Sequence, residues 1–256
     1  MTHTAPYKVD IRDLHKTYSV DGRLVEALEG VSLHAAAGSF VTVIGPSGCG
    51  KSTLFGVVCG LQQADRGEIC FDGAPVTQRA GSVGYMPQRD LLMPWRNVLD
   101  NVILGPEVHR EDLAAARREA RELLPLFGLD GFADAYPASL SGGMRQRAAL
   151  LRTFLCRKNI MLLDEPFGAL DAITRSDLQQ WLLQVWQRFR YTILFITHDV
   201  EEAIFLSDVV YVLTPRPARV RTTLTIPLPR PRTQDVILTP EFAALKRRLL
   251  DELAEA

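Results

Sequence analysis

The chain has 256 residues, 47% apolar and 23% charged, with 29 Lys and Arg against 30 Asp and Glu for a net charge of −1. That length accommodates one large domain or a core with an inserted subdomain, and the balanced charge lacks the basic excess of a general nucleic-acid binder. No apolar run approaches the roughly 20 residues of a membrane span, and no cationic start leads into an apolar stretch as a secretory signal would.

Taken in chain order, Phe40-Val41-Thr42-Val43-Ile44 is the first continuous apolar, β-branched run, followed by a glycine loop and the helical pattern LFGVVCGL. Ile160-Met161-Leu162-Leu163 runs into Asp-Glu-Pro, and Thr192-Ile193-Leu194-Phe195-Ile196 runs into Thr-His-Asp. Runs of this kind fit strands buried on both faces, as in a parallel sheet covered by helices, so the predicted class is α/β. Between these strands, residues 88–157 change character. EDLAAARREARELLPLF has helical periodicity, with Gly128 as its stop, and predicts a mainly helical subdomain inserted in the core. Ser141 then stands before Gly142 and Gly143 at the head of a further helix, an N-cap that leaves bare backbone N–H groups suited to an anion. Over 172–189, Trp181, Leu182, Val185, Trp186 and Phe189 recur at helical spacing and predict a buried helix face. Residues 214–256 form a proline- and arginine-rich extension that ends in one amphipathic helix, EFAALKRRLLDELAEA. The four cysteines, Cys49, Cys59, Cys70 and Cys156, lack metal-ligand spacing and read as reduced, mostly buried thiols of a cytoplasmic protein.

The chemistry concentrates in the glycine loop. Gly45-Pro46-Ser47-Gly48-Cys49-Gly50-Lys51-Ser52, followed by Thr53, satisfies G-x-x-x-x-G-K-[ST] between a strand and a helix. Such a loop converges backbone N–H groups on the β- and γ-phosphates, Lys51 supplies a point charge, and the Ser52 hydroxyl can hold Mg²⁺. Asp164 ends an apolar strand, where a second Mg²⁺-directed group must sit. Glu165 follows it, and in an extended continuation the two carboxylates point apart, one to the metal and one to a water. Glu165 is therefore the candidate general base. His198 ends the next strand, at the same sheet edge if all strands are parallel. A GTPase reading is weakened by the lack of an Asn-Lys-x-Asp motif, and a small-molecule kinase reading gives LSGGMRQR and the helical insertion no role.

The order GPSGCGKST, YMPQ, LSGGMRQR, IMLLDEP, GALD and THD, from about Val9 to about Val220, resembles the nucleotide-binding subunit of ABC transporters. The resemblance implies a P-loop NTPase core with an added antiparallel β subdomain, one ABC ATPase domain over residues 1–256, and ATP with Mg²⁺ as cofactors. It also implies that two such subunits, here expected to be identical, pair head to tail. Ser141, Gly142 and Gly143 would then hold the γ-phosphate of the ATP seated on the partner. Tyr18 matches the aromatic that stacks on adenine, Gln88 the glutamine that contacts Mg²⁺ and the attacking water, Asp171 a residue crossing the dimer interface, and His198 a γ-phosphate contact. Met144 stands where the family often has glutamine, and AALLRTFL is bulkier than the usual pattern after the signature.

LLMPWRNVLDNV, AYPASLSGGMRQR and TPRPARV resemble the importer branch that serves nitrate, aliphatic sulfonates, taurine and thiamine-precursor pyrimidines. The expected partners are integral membrane permease subunits and, indirectly, an external solute-binding protein, with no nucleic acid. The expected location is the cytoplasmic face of the membrane. Pro94, Trp95, Val98 and Leu99 are predicted to offer the permease an apolar surface, the competing reading being that Trp95 packs in the subdomain core. Two further readings are an exporter ATPase and a soluble ABC ATPase acting on nucleic acid.

Overall fold

The computed structural model describes residues 7–168 and 170–254. Its strands are β1 (Val9–Val20), β2 (Arg23–Ala35), β3 (Phe40–Ile44), β4 (Arg66–Phe71), β5 (Ala74–Pro75), β6 (Gly84–Met86), β7 (Ile160–Asp164), β8 (Thr192–Thr197), β9 (Val209–Leu213) and β10 (Val220–Thr225). Six of them form one sheet in the order β10-β9-β3-β8-β7-β6. All its pairs are parallel except β10 with β9. A separate antiparallel sheet has the order β2-β1-β4-β5.

Every residue of β3, β7 and β8 is buried, as continuous apolar runs require of strands covered on both faces. Alternate side chains go to different cores. Phe40, Ile44, Leu163, Phe195 and Val210 face a cluster closed by helices. Val41, Val43, Leu162, Leu194, Ile196 and Tyr211 face a second cluster closed by helix α1 (Lys51–Val58) and the antiparallel sheet.

Between β6 and β7 the regular structure is entirely helical: α2 (Val98–Val102), α3 (Leu104–Val108), α4 (Leu113–Leu123), a short 3₁₀ turn at Pro137–Ser139 and α5 (Gly142–Phe154). Side chains set the starts. The Asn97 amide oxygen accepts from Asp100 N at 2.8 Å, Asp112 accepts from Ala114 N and Ala115 N, and Ser141 Oγ accepts from Met144 N at 3.2 Å. The stop of α4 comes earlier than Gly128. The helix ends at Leu123, before Pro125, and Gly128 at φ 63° closes the turn beyond it.

Helix α6 (Ala172–Phe189) has the predicted limits, and Leu182, Val185 and Trp186 are buried. Trp181 and Phe189 are only half-buried: the Trp181 indole donates to Leu126 O at 2.8 Å with Arg147 stacked 5.1 Å from its ring. After β8 come α7 (Val200–Leu206) and, at the end of the described chain, α8 (Pro240–Ala254). The extension differs from its prediction, because β10 is part of the central sheet. Its Val-Arg-Thr-Thr-Leu-Thr sequence is β-branched, but the prolines and arginines around it mask that signal. The remainder docks: Phe242 and Leu249 of α8 are buried, and Arg232, 3% exposed, donates to Ile204 O, Phe205 O and Ser207 O at 2.7–3.0 Å, closing the C-terminal end of α7. All four cysteines are free, three of them buried and Cys156 half-buried.

Candidate active site

Parallel pairing brings the C-terminal ends of β3, β8, β7 and β6 to one edge, the place where α/β sheets hold ligands. The register fixes the depth: Ile44 pairs with Thr197, and Ile196 with Asp164. The glycine loop, His198, Glu165 and Gln88 follow these ends directly. They line one open cleft of about 540 Å³ with Ser47, Gly48, Gly50, Lys51, Ser52, Thr53 and Arg216.

The loop reaches α1 through Gly50 at φ 130°, where a Cβ would stand 2.8 Å from Ala27 O, so only glycine fits. No side chain caps the start of α1, which leaves its first N–H groups for an anion. Lys51 is buried, with Nζ donating to Gly45 O and Pro46 O at 2.9 Å each. Cys49 is buried beneath the loop, and burial raises its thiol pKa.

The two carboxylates diverge, but not by extended alternation. Glu165 has φ 44°, a left-handed conformation that costs a non-glycine residue on the order of 1–2 kcal/mol. Asp164 is 3% exposed, and its Oδ1 has no hydrogen-bond partner among the described residues. Burial pushes the Asp164 carboxyl up, Glu165 adds to the rise, and Ser52, Lys51 and Tyr85 oppose it. A buried, unpartnered carboxylate oxygen beside a serine hydroxyl suits Mg²⁺, which takes one or two protein ligands plus substrate phosphates and water. Glu165 instead turns into the cleft. Its Oε2 accepts from Gln88 Nε2 at 3.1 Å and lies 3.1 Å from His198 Nδ1. Three groups from three sequence-distant loops thus meet at one oxygen.

The glycine loop, Gln88, Asp164 and Glu165 fall within a family match, and His198 lies beyond its end. The family model described as ABC transporter matches residues 28–168. The chain belongs to the ABC transporter family. It is 42% identical, over 97% of its length and 92% of the relative's, to an ABC transporter ATP-binding protein of Methanocaldococcus jannaschii. It is 38% identical to an aliphatic sulfonates import ATP-binding protein of Bacillus cereus, over 95% of each chain. Among solved structures, a dimeric bacterial ABC transporter cassette aligns with TM-score 0.75 and 28% identity over 85% of this chain and 98% of that one. The protein cbiO1 of Clostridium perfringens, described as part of the ABC transporter complex cbiONQ, aligns with TM-score 0.77 and 25% identity over 96% of this chain and 97% of that one. The chain is thus an ATP-binding, ATP-hydrolysing ABC transporter subunit, and none of its described helices is long and apolar enough to cross a membrane.

Other ABC motif residues stand apart from the cleft. Ser141, Gly142 and Gly143 begin α5, and Asp171 caps α6 by accepting from Thr174 N at 3.1 Å, which lowers its carboxyl pKa. Gly143 is buried rather than bare: a Cβ there would stand 2.8 Å from Thr174 Cγ2, so its lack of a side chain also serves helix packing. Tyr18, on β1, does not line the cleft; its hydroxyl donates to the Gln62 side chain, and Lys16 Nζ lies 5.5 Å from its ring. Pro94 and Trp95 are exposed, Trp95 at 72%, which removes the reading that Trp95 packs in the core. Val98 and Leu99 do not share that surface. They begin α2, whose first N–H groups bond Ala135 O and Ala133 O, and both side chains are buried. Sequence reasoning gave Arg216 no chemical role, although TPRPARV was conspicuous. The DVVYVL run of β9, which delivers Arg216 to the cleft, was the available signal.

Proposed function

We propose that two copies of this chain close on two ATP molecules and power a membrane importer for a small solute such as a sulfonate, nitrate, taurine or a thiamine-precursor pyrimidine. The observation that carries the reading is a divided site. Lys51, Gln88, Glu165 and His198 share the cleft, while Ser141, Gly142 and Asp171 of the same chain lie outside it. A helix start with anion-binding character that lies outside the chain's own cleft fits the γ-phosphate held by a second copy.

In this mechanism the loop amides and Lys51 bind the phosphates, and Tyr18 stacks on adenine from the antiparallel sheet. Asp164, Ser52 and Gln88 would hold Mg²⁺, which supplies neutralisation of charge on the β- and γ-oxygens. Glu165, aimed by Gln88 and His198, accepts the proton of the attacking water as the water oxygen bonds to the γ-phosphorus and the bond from that phosphorus to the bridging oxygen breaks, releasing ADP and phosphate. Loss of the γ-phosphate removes the bridge between Lys51 and the partner's signature helix, and the dimer opens. ATP drives the permease only to the extent that it favours the closed state. The exposed Pro94 and Trp95 offer the permease an apolar contact beside Gln88, at the cytoplasmic face. The sulfonate-type assignment is supported by the Bacillus cereus relative, the importer-like stretches around Trp95 and Ser141, and no residue of this cleft.

The test is to tag the chain, solubilise native membranes in mild detergent and identify what co-purifies. A stoichiometric polytopic protein is expected, and its substrate can then be assayed. Recovery of only cytosolic protein or nucleic acid would end the importer reading and leave the ATPase intact.

A further inference from the structure

One cation in the cleft, Arg216 of the TPRPARV stretch, belongs to none of the phosphate-binding motifs. Arg216 follows β9, and β9 lies beside β3, so the turn from β9 to β10 stands next to the glycine loop that follows β3. The turn is pinned. Thr214 N donates to Arg219 O at 3.0 Å, Thr214 Oγ1 donates to Pro217 O at 3.1 Å, and Arg219 N donates to Thr214 Oγ1 at 3.0 Å. Ala218 is tied to β2 in both directions, donating to Ala27 O at 3.0 Å and accepting from Glu29 N at 2.9 Å. From this brace the Arg216 side chain crosses to the loop, where Nη2 donates to Gly48 O at 2.7 Å.

That bond uses one of five guanidinium N–H donors. Among the described residues Arg216 has no carboxylate partner, and its only side-chain hydrogen bond is the one to Gly48. Sheet order sets its side: β9 and β8 flank β3, so Arg216 faces the loop from the flank opposite His198 and Glu165. Lys51 reaches the loop from within. A guanidinium fixed at the rim of a phosphate cradle, with donors left over, matches the geometry of phosphate oxygens.

We propose that Arg216 is a nucleotide-binding residue that contacts the phosphate chain from the flank of the loop opposite the reacting γ-phosphate. The proposal rests on the nucleotide site described above, and it adds a cation supplied by the β9–β10 turn rather than by any phosphate-binding motif.

Titrations of ATP, ADP and adenosine into the full chain would test it, comparing wild type with Arg216→Ala, Arg216→Gln, Arg216→Lys and Lys51→Ala, with thermal melting to verify folding. Arg216→Ala and Arg216→Gln are expected to weaken ATP and ADP binding by about tenfold, the scale of one charge-assisted hydrogen bond. Arg216→Lys keeps the charge but not the planar fork and should recover only part of the loss, and adenosine binding should not change. Wild-type affinity in Arg216→Gln, which keeps an N–H for Gly48 O but loses the charge, would overturn the proposal and leave Arg216 as a tether of the loop. Unchanged ATP affinity in Arg216→Ala with a loss in Lys51→Ala would overturn it while the site stands. Unchanged affinity in Lys51→Ala as well would remove the site itself.

Discussion

Glu165 Oε2 and His198 Nδ1 lie 3.1 Å apart, on loops that follow adjacent parallel strands. The pairing orients a carboxylate whose backbone is already bent into a left-handed turn, and orientation is what a general base needs before its basicity counts. Replacing Glu165 by Gln preserves the shape and the contacts with Gln88 and His198 but removes the proton acceptor. The expected outcome is ATP binding near wild type with turnover reduced by roughly two orders of magnitude or more. Near-normal hydrolysis in a single-turnover assay would remove Glu165 from that role.

Ser141 is exposed at the head of α5, away from the chain's own cleft. Ser141→Arg should leave ATP binding to the isolated chain unchanged and block ATP-dependent pairing. Light scattering that still reported a dimer with ATP would refute the divided site.

Asp164 is a buried carboxylate whose pKa burial has raised. Its ionised form is therefore disfavoured in the folded chain. The penalty is absent below the unfolded-state pKa, grows as pH rises from that value to the folded one, and is complete above the folded value. Asp164→Asn should raise the melting temperature of the nucleotide-free protein at pH 7, with the gain vanishing toward acid, and should abolish Mg²⁺-dependent tightening of ATP binding. A lower melting temperature at pH 7 would contradict this account of the buried charge.

Gly143 meets Thr174 across the α5–α6 contact. Gly143→Ala places a methyl 2.8 Å from Thr174 Cγ2 and should cost about 1–3 kcal/mol. Thr174→Ser removes that methyl, so the double variant should recover most of the loss in denaturant unfolding. Equal instability in single and double variants would show that the contact is not the cause.

Arg232 holds three carbonyls at the end of α7, and burial, with Arg230 nearby, lowers its pKa to about 10. Arg232→Met fills similar volume but strands those carbonyls, with an expected loss of about 2–4 kcal/mol. Arg232→Lys cannot reproduce the planar fork and should recover only part of it. A denaturation midpoint unchanged in Arg232→Met would show that the C-terminal segment contributes little to the fold.

Much of this architecture was legible because the deciding signals are local. The runs at Phe40, Ile160 and Thr192 show no polar alternation, their only polar members being Thr42 and Thr192, and that pattern marks a doubly covered strand. Ser141 advertises a helix start as an N-cap before two glycines, and it caps α5 through Met144 N. Long-range packing was harder to read. Val98 and Leu99 look like surface beside Trp95 until α2 begins and turns them inward. Glu165 leaves its strand by a left-handed bend that no single residue predicts. Arg216 depends on β9 lying beside β3, and strands far apart in sequence carry no local mark of becoming neighbours.

That separation also bears on how the chain is made. Phe40 pairs with Ile193 and Val41 with Val209, so the strand that carries the phosphate loop emerges from the ribosome long before either of its neighbours. Contacts between distant segments form late, because closing long loops is costly before those contacts stabilise anything. A nascent chain that stops short of β8 has the phosphate-binding motif but neither of the strands that flank it. The phosphate loop gains both of its flanking strands only once the chain has been made as far as Leu213.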